Sequence, residues 1–244
     1  MTLFLASVRD KAEAGIALLA HADVIDLKEP ANGALGALDR TTTTSIVSFV
    51  AGRVPVSATI GDSPMQPELI CHAVMEKAIC DVDYVKFGLF PGGDPQGCLS
   101  ALRLAALRVP LIAVVFADRL PDFDAVGAAG AMGAAGIMLD TADKGAGSLL
   151  AHLDRSGIAR FVVHAKSHGL MVGVAGSLTA DDVPELLSVA PDLIGFRGAL
   201  CRGCRSATLD PEACADIRAL IPRRAAAVHQ AHAPVPNAVA EALC

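Results

Sequence analysis

Eight short runs rich in β-branched residues return along this chain at intervals of roughly 25 to 30 residues: TLFLASV (2–8), DVIDLK (23–28), VPVSATIGD (54–62), DYVKFGLF (83–90), PLIAVVFAD (110–118), GIMLDTA (136–142), LMVGVAGS (170–177) and DLIGFRGA (192–199). Between them lie Ala- and Leu-rich segments with helical spacing, such as LSALRLAALR (99–108) and DDVPELLSVA (181–190). The second of these follows Ser177 and Thr179, which are candidate caps, and it carries acids and Pro184 where a helix start accepts them. Strands apolar on both faces and separated by helices imply parallel βαβ units. Eight such units predict an α/β fold, a single (β/α)8 TIM barrel, which typically needs about 250 residues. The chain has 244. A doubly wound open sheet is the alternative, but it usually needs fewer strands. The barrel is expected over residues 1–222, and the change of composition after Pro222 sets RRAAAVHQAHAPVPNAVAEALC (223–244) apart as a tail outside it.

Bulk properties remove several classes of function. Apolar residues make up 53% of the chain and charged residues 19%, so a large core is easily supplied. There is no Trp and a single Tyr, which argues against a base-stacking or peptide-groove surface. A net charge of −6 argues against a nucleic-acid partner. No apolar run approaches the ~18 residues of a membrane span, and MTLFLASVRDKAEAG has no basic leader of the secretory kind. Seven cysteines, odd in number and scattered, fit reduced thiols. A cytoplasmic protein is expected, with neither a membrane nor a nucleic acid as partner and with a homo-oligomer as its assembly.

In a parallel barrel the reactive face is the rim at the C-terminal ends of the strands. Alternate side chains of an extended chain share a face, so Asp26 and Lys28 point one way while Ile25 and Leu27 point the other. Two charges on one face of a buried strand are either a solvated strand end or a site. The other strand ends favour a site. Only six lysines occur; Lys28 and Lys86 end strands, and Lys144 follows the sixth strand by a few residues, beyond Asp140. Lys11, Lys77 and Lys166 fall in helical segments, where solvated lysines belong.

Three ammonium groups and two carboxylates in one mouth suit a small anionic substrate, and phosphate is the common one on this rim. The loops VAGSL (174–178) and FRGALCRG (196–203) have small residues that permit close backbone approach, and Arg197 could add a two-pronged contact. A lysine among other cations can also become a nucleophile. Its pKa of about 10.4 must fall by roughly three units to leave it mostly neutral at pH 7. Such an amine forms a Schiff base, with Asp26 and Asp140 at hand for proton transfer.

Other features carry less. Cys201 and Cys204 have redox or zinc spacing but no second ligand pair, so no metal site is expected. His164 and His168 fall before the seventh strand, away from the rim, and read as surface or packing residues. The glycines of GAAGAMGAAG (127–136) read as close helix packing, and Asp62 and Asp118 either assist the site or cap helices.

The segments DLKEPANGALGA (26–37), SATIGD (57–62), DYVKFGL (83–89), MLDTADK (138–144), GVAGSL (173–178) and GFRGALCRG (195–203) together resemble the (5-formylfuran-3-yl)methyl phosphate synthase family of methanofuran biosynthesis. The resemblance runs in order from about residue 2 to residue 221. It implies a lyase-type condensation of two glyceraldehyde 3-phosphate molecules, with loss of phosphate and water, to 4-(hydroxymethyl)-2-furancarboxaldehyde phosphate. It also implies a Schiff base on Lys28 accompanied by Asp26, a second strand-end lysine at Lys86, and an Asp140–Lys144 pair. Gly176, Ser177, Arg197 and Gly198 would seat one phosphate. No cofactor is needed, since the imine itself serves as electron sink. A different Schiff-base aldolase, a phosphosugar isomerase and a non-catalytic phosphometabolite binder are the rival readings.

Overall fold

The computed structural model describes residues 1–223, so the tail expected over 223–244 lies, apart from Arg223, outside the described residues. Eight parallel strands close on themselves in chain order: β1 (Leu3–Val8), β2 (Val24–Leu27), β3 (Val56–Thr59), β4 (Tyr84–Gly88), β5 (Leu111–Phe116), β6 (Gly136–Asp140), β7 (Met171–Val174) and β8 (Leu193–Phe196), with β8 pairing back onto β1. The expected barrel is the observed one. Around it lie α1 (Lys11–Leu19), α2 (Arg40–Val50), α3 (Pro67–Ala78), α4 (Pro95–Ala106), α5 (Ala125–Met132), α6 (Leu149–His152), α7 (Arg155–Ser167), α8 (Val183–Ser188) and α9 (Pro211–Leu220), with single 3₁₀ turns at Pro30–Asn32 and Gly198–Leu200. Among the described residues no helix is long and apolar enough to cross a membrane.

Aspartate punctuates this chain at both ends of the barrel. The carboxylates of Asp10, Asp39, Asp94, Asp124, Asp154 and Asp210 accept backbone N–H groups in the first turns of α1, α2, α4, α5, α7 and α9. Each satisfies donors that a helix start leaves without partners. At the opposite end Asp23, Asp83 and Asp192 precede β2, β4 and β8. Their carboxylates accept from Phe4 (2.8 Å), Val56 (2.7 Å) and Val172 (2.8 Å) of the preceding strand. The N–H of each aspartate returns to the carbonyl of the same residue, so each strand start is stapled to its neighbour. Asp23 is also paired with the buried Arg218 at 2.7 Å, which ties the end of α9 to the start of β2.

The α8 start differs in detail from the sequence expectation. Pro184 does sit in the first turn, but Ser177 and Thr179 do not cap the helix. Instead the Asp182 carboxylate accepts the Thr179 N–H at 2.7 Å, and the Ser177 hydroxyl donates to the Lys144 carbonyl at 3.0 Å. Lys77 also departs from expectation. It lies on the inner face of α3, buried, with its ammonium donating to the Leu38 carbonyl, because a long aliphatic stem allows a helix lysine to reach a loop acceptor beneath its own helix.

Two apolar layers hold the barrel. The outer one lies between sheet and helices and includes Phe4, Ile25, Ile46, Ile70, Val85, Leu102, Val115 and Ile194. The inner one fills the barrel with Leu5, Val24, Ile112, Val114, Phe116, Met138 and Leu193. Of these seven, β5 supplies three, Ile112, Val114 and Phe116, more than any other strand, while β7 and β8 also present Gly173 and Gly195, with Ala175 just after β7. A Cβ on Gly173 would lie 2.6 Å from the terminal methyl of Met138 and 2.9 Å from a methyl of Leu193, so both side chains would have to shift to admit one. Small residues on one wall and large ones on the other leave the open volume beside β7, β8 and β1.

Leu102 of α4 is fully buried and Leu107 is 83% exposed, which separates packing from mere hydrophobicity. Leu102→Ala is expected to cost about 2–5 kcal/mol in urea unfolding, and Leu107→Ala to stay within about 0.5 kcal/mol.

Candidate active site

A pocket of about 360 Å³ opens at the C-terminal ends of the strands, and Ser7, Asp26, Lys28, Lys86, Asp140 and Lys144 form its polar floor. The register explains why they meet. Ser7 of β1, Asp26 of β2 and Ser57 of β3 are hydrogen-bonding neighbours at one level. Lys86 of β4, level with Thr59, sends its ammonium across to Asp26 Oδ1 at 2.6 Å. The Ser57 hydroxyl donates to the same oxygen at 2.7 Å, and the Ser7 hydroxyl to Oδ2 at 2.9 Å. Asp26 is therefore fully coordinated although no part of it is exposed. Burial alone would raise its pKa; Lys86, Lys28 and the hydroxyl bonds outweigh that and hold the carboxyl below its usual range. Burial in turn pushes the Lys86 ammonium below its usual range, with Asp26 opposing.

A second pair lies across the pocket. Asp140 ends β6, and its Oδ1 accepts from the Thr141 N–H at 2.7 Å and pairs with the Lys144 ammonium at 2.5 Å. Burial opposes ionisation of Asp140 as well, but Lys144, Lys28 and these hydrogen bonds hold it ionised. Burial lowers Lys144 to about 8, with Asp140 resisting and Lys28 assisting the shift. Lys28 stands between the two pairs. It is 6% exposed, and Asp140 Oδ2, at 3.9 Å, is its nearest carboxylate partner. Of the three amines it is the one without a close carboxylate contact.

All nine residues expected at the site line this pocket. Gly176 has φ +113°, and a Cβ there would lie 2.9 Å from the Thr141 nitrogen, so only glycine can bring the β7 loop this close to the end of β6. Ser177 follows with φ +46° and is tied to the Lys144 carbonyl. Gly198 and Ala199 open the short turn after β8, where first-turn N–H groups have no partner within the turn.

Arg197 is placed otherwise than its sequence position implies. Its guanidinium turns away from the opening, toward the buried Glu13 of α1, with contacts of 2.5 and 3.2 Å. Its remaining donors go to the carbonyls of Ser7, Arg205 and Ala207. Every N–H it owns is engaged, which leaves only its main chain for the pocket. The arginine whose side chain does face the opening is Arg205, which sequence reasoning missed, as it missed Ser7, Ser57 and Glu13. No periodicity marks these residues, because register and loop path alone bring them in.

Asp62 and Asp118 lie outside the pocket lining and act as loop clasps. Asp62 accepts the N–H groups of Ala34 and Leu35 at 2.9 and 2.7 Å; Asp118 accepts those of Ala142 and Asp143, both at 2.8 Å. They fix the loops that carry Lys28 and Lys144. Cys201 and Cys204 are free thiols, the first buried and the second exposed. His164 and His168 lie exposed at the end of α7, with His164 Nε2 3.1 Å from Asp124 Oδ1.

The family model described as 4-HFC-P synthase matches residues 4–218. The chain belongs to that family. A Methylorubrum extorquens protein provisionally named (5-formylfuran-3-yl)methyl phosphate synthase is 40% identical over 200 residues, covering 81% of this chain and 82% of its own. The Methanosarcina mazei (5-formylfuran-3-yl)methyl phosphate synthase is 33% identical over 221 residues, 85% of this chain and 94% of its own. Among solved structures, phosphoribosyl anthranilate isomerase from Thermus thermophilus superposes with a TM-score of 0.64 at 15% identity, over 90% of this chain and 98% of that one. A 3-hexulose-6-phosphate synthase superposes at 0.59 and 16% identity, over 91% and 100%. These likenesses are of fold. The chain is a TIM-barrel enzyme of the 4-HFC-P synthase type.

Two measurements probe the floor of this site. Lys86→Met strands the buried Asp26 carboxylate, and a loss of about 3–5 kcal/mol in urea unfolding is expected. Neutralising both partners, Asp26→Asn with Lys86→Met, should recover a large part of it. The second measurement concerns Lys144, which gives up its proton near pH 8, so the pocket loses one positive charge as pH rises through that value. Affinity for sulfate, a dianion that does not titrate in this range, should therefore fall between about pH 7 and 9. Lys144→Met should bind sulfate more weakly and with no step near pH 8, as titration calorimetry would read.

Proposed function

We propose that the enzyme condenses two molecules of glyceraldehyde 3-phosphate into 4-(hydroxymethyl)-2-furancarboxaldehyde phosphate, with loss of one phosphate and of water, through an imine on Lys28, as a step of methanofuran-type cofactor biosynthesis. The observation that carries this reading is the position of Lys28. It is a buried amine at the bottom of an anion-sized pocket, it has the loosest carboxylate contact of the three lysines, and it stands beside an Asp140–Lys144 pair whose amine titrates near 8.

In this reading Lys28 Nζ attacks a triose-phosphate carbonyl, and water leaves as the imine forms. Asp140 faces the Lys28 amine, and with Lys144 it is the pair best placed to move the protons that convert imine to enamine. Loss of phosphate from carbon 3 of that enamine leaves an imine-conjugated enol, whose terminal carbon adds to carbon 2 of the second triose phosphate, isomerised to its ketone form. Ring closure and loss of water give the aromatic furan, which draws the sequence forward, and hydrolysis of the imine releases the aldehyde and frees Lys28. Asp26 has both oxygens committed to Lys86, Ser7 and Ser57, so it serves as a fixed counter-charge beneath the reaction, keeping Lys86 charged and in place against the substrate oxygens. The loops at Gly176–Ser177 and Gly198–Ala199 offer N–H groups to one phosphate. The imine is the only electron sink the scheme requires.

The test is borohydride trapping. Incubation with glyceraldehyde 3-phosphate, reduction and digestion should place the added mass on the peptide containing Lys28. Lys28→Ala should show no adduct and should lose at least about 10³-fold in the rate of furan aldehyde formation, followed by ultraviolet absorbance. An adduct on Lys86 or Lys144 would move the nucleophile and refute the role given to Lys28. An adduct without any ultraviolet-absorbing product would favour a simple Schiff-base aldolase.

A further inference from the structure

The loop from Cys201 to Asp210 reaches the pocket through Arg205, and its backbone is held by several side chains. Arg9, at the end of β1, donates to the Ser206 carbonyl at 2.6 Å and to the Thr208 hydroxyl at 3.3 Å. Arg197, at the end of β8, donates to the carbonyls of Arg205 and Ala207, both at 2.8 Å. Arg197 is itself anchored by Glu13, which is wholly buried, and Cys201 bridges to Leu209 to close the base of the loop. Three consecutive carbonyls, 205 to 207, thus accept from two arginines that belong to other elements. This clasp presents one side chain, that of Arg205, over the opening.

Arg205 differs from the arginines that hold it. It is half-buried, it enters no ion pair among the described residues, and its one hydrogen bond is to the Gly33 carbonyl at 3.3 Å, leaving most of its five donors free. Its stem rises beside the turn after β8, since a Cβ built on Gly198 would lie 3.9 Å from Arg205 Cβ. Its charge is felt across the mouth by Lys144 and Asp140. A guanidinium held on a clasped loop, short of partners and lining a pocket with three lysines, suits a phosphomonoester in charge and in its two-pronged donor fork.

We propose that Arg205 is the phosphate-binding arginine of this enzyme, closing over a substrate phosphate in this pocket, and that Glu13, Arg197 and Arg9 are its positioning residues. The inference deepens the reading of the pocket as a triose-phosphate site and rests on it for the identity of the phosphate ester.

The test uses the full chain and inorganic phosphate as the probe. Arg205→Gln is expected to weaken phosphate binding at least about tenfold by titration calorimetry, with Arg205→Lys between the two, because a lysine keeps the charge and loses the fork. With phosphate-free glyceraldehyde, the borohydride-trapped adduct on Lys28 should still form in Arg205→Gln, and the substitution should slow it far less than it slows trapping of glyceraldehyde 3-phosphate. Phosphate affinity within twofold of wild type in Arg205→Gln would overturn the proposal. So would loss of the phosphate-free adduct in that variant, which would mean that the pocket itself had collapsed. Weakened phosphate binding in a protein that makes no furan from glyceraldehyde 3-phosphate would support the clamp and refute only the proposed substrate.

Discussion

Charge burial is the constraint on which this molecule turns. Five ionisable groups, Asp26, Lys28, Lys86, Asp140 and Lys144, lie almost wholly out of contact with solvent at the mouth of one barrel. Any of them alone would be driven to its neutral form. They coexist because parallel register sets carboxylates and amines of different strands at hydrogen-bonding distance, and because hydroxyls from Ser7 and Ser57 and the Thr141 N–H complete each carboxylate. The arrangement leaves one amine, Lys28, with charged neighbours but no tight partner. That is a condition a nucleophile needs: held in place, yet not already committed.

The rest of the structure serves to hold that geometry still. Aspartates staple the strand starts at the base of the barrel, cap helices, and clasp the β2 and β6 loops through Asp62 and Asp118. None of these carboxylates needs to approach substrate. Each satisfies backbone donors that would otherwise have to find water, and Asp62 and Asp118 fix loops whose neighbouring residues line the pocket. The asymmetry of the inner core, bulky at β5 and glycine-rich at β7 and β8, then decides where the open volume falls.

Two arginines close in sequence are placed very differently. Arg197 ends a strand on the catalytic rim, and its side chain folds back onto Glu13 and the carbonyls of the following loop. Arg205 sits in that loop with few partners and reaches the opening. A buried guanidinium must satisfy five donors, and only a dense set of acceptors can do so. That set lies behind β8 and not in the pocket.

Much of this was legible from the chain alone. The repeated apolar runs separated by helical segments specified an eight-stranded parallel barrel, and period-two alternation put Asp26 and Lys28 on one face, because a pleated strand leaves no other choice. The scarcity of lysine, and its recurrence at strand ends, picked out the rim residues Lys28, Lys86 and Lys144. What the chain could not disclose is anything set by relations between segments distant in sequence. Which carboxylate pairs with which amine depends on strand register, and Lys77 is buried because a Leu38 carbonyl lies beneath its helix. The fates of Arg197 and Arg205 depend on a glutamate in the first helix, 184 residues away from the former. Local pattern determines what each segment is and which way it faces; the identity of its partners emerges only when the barrel closes and β8 meets β1.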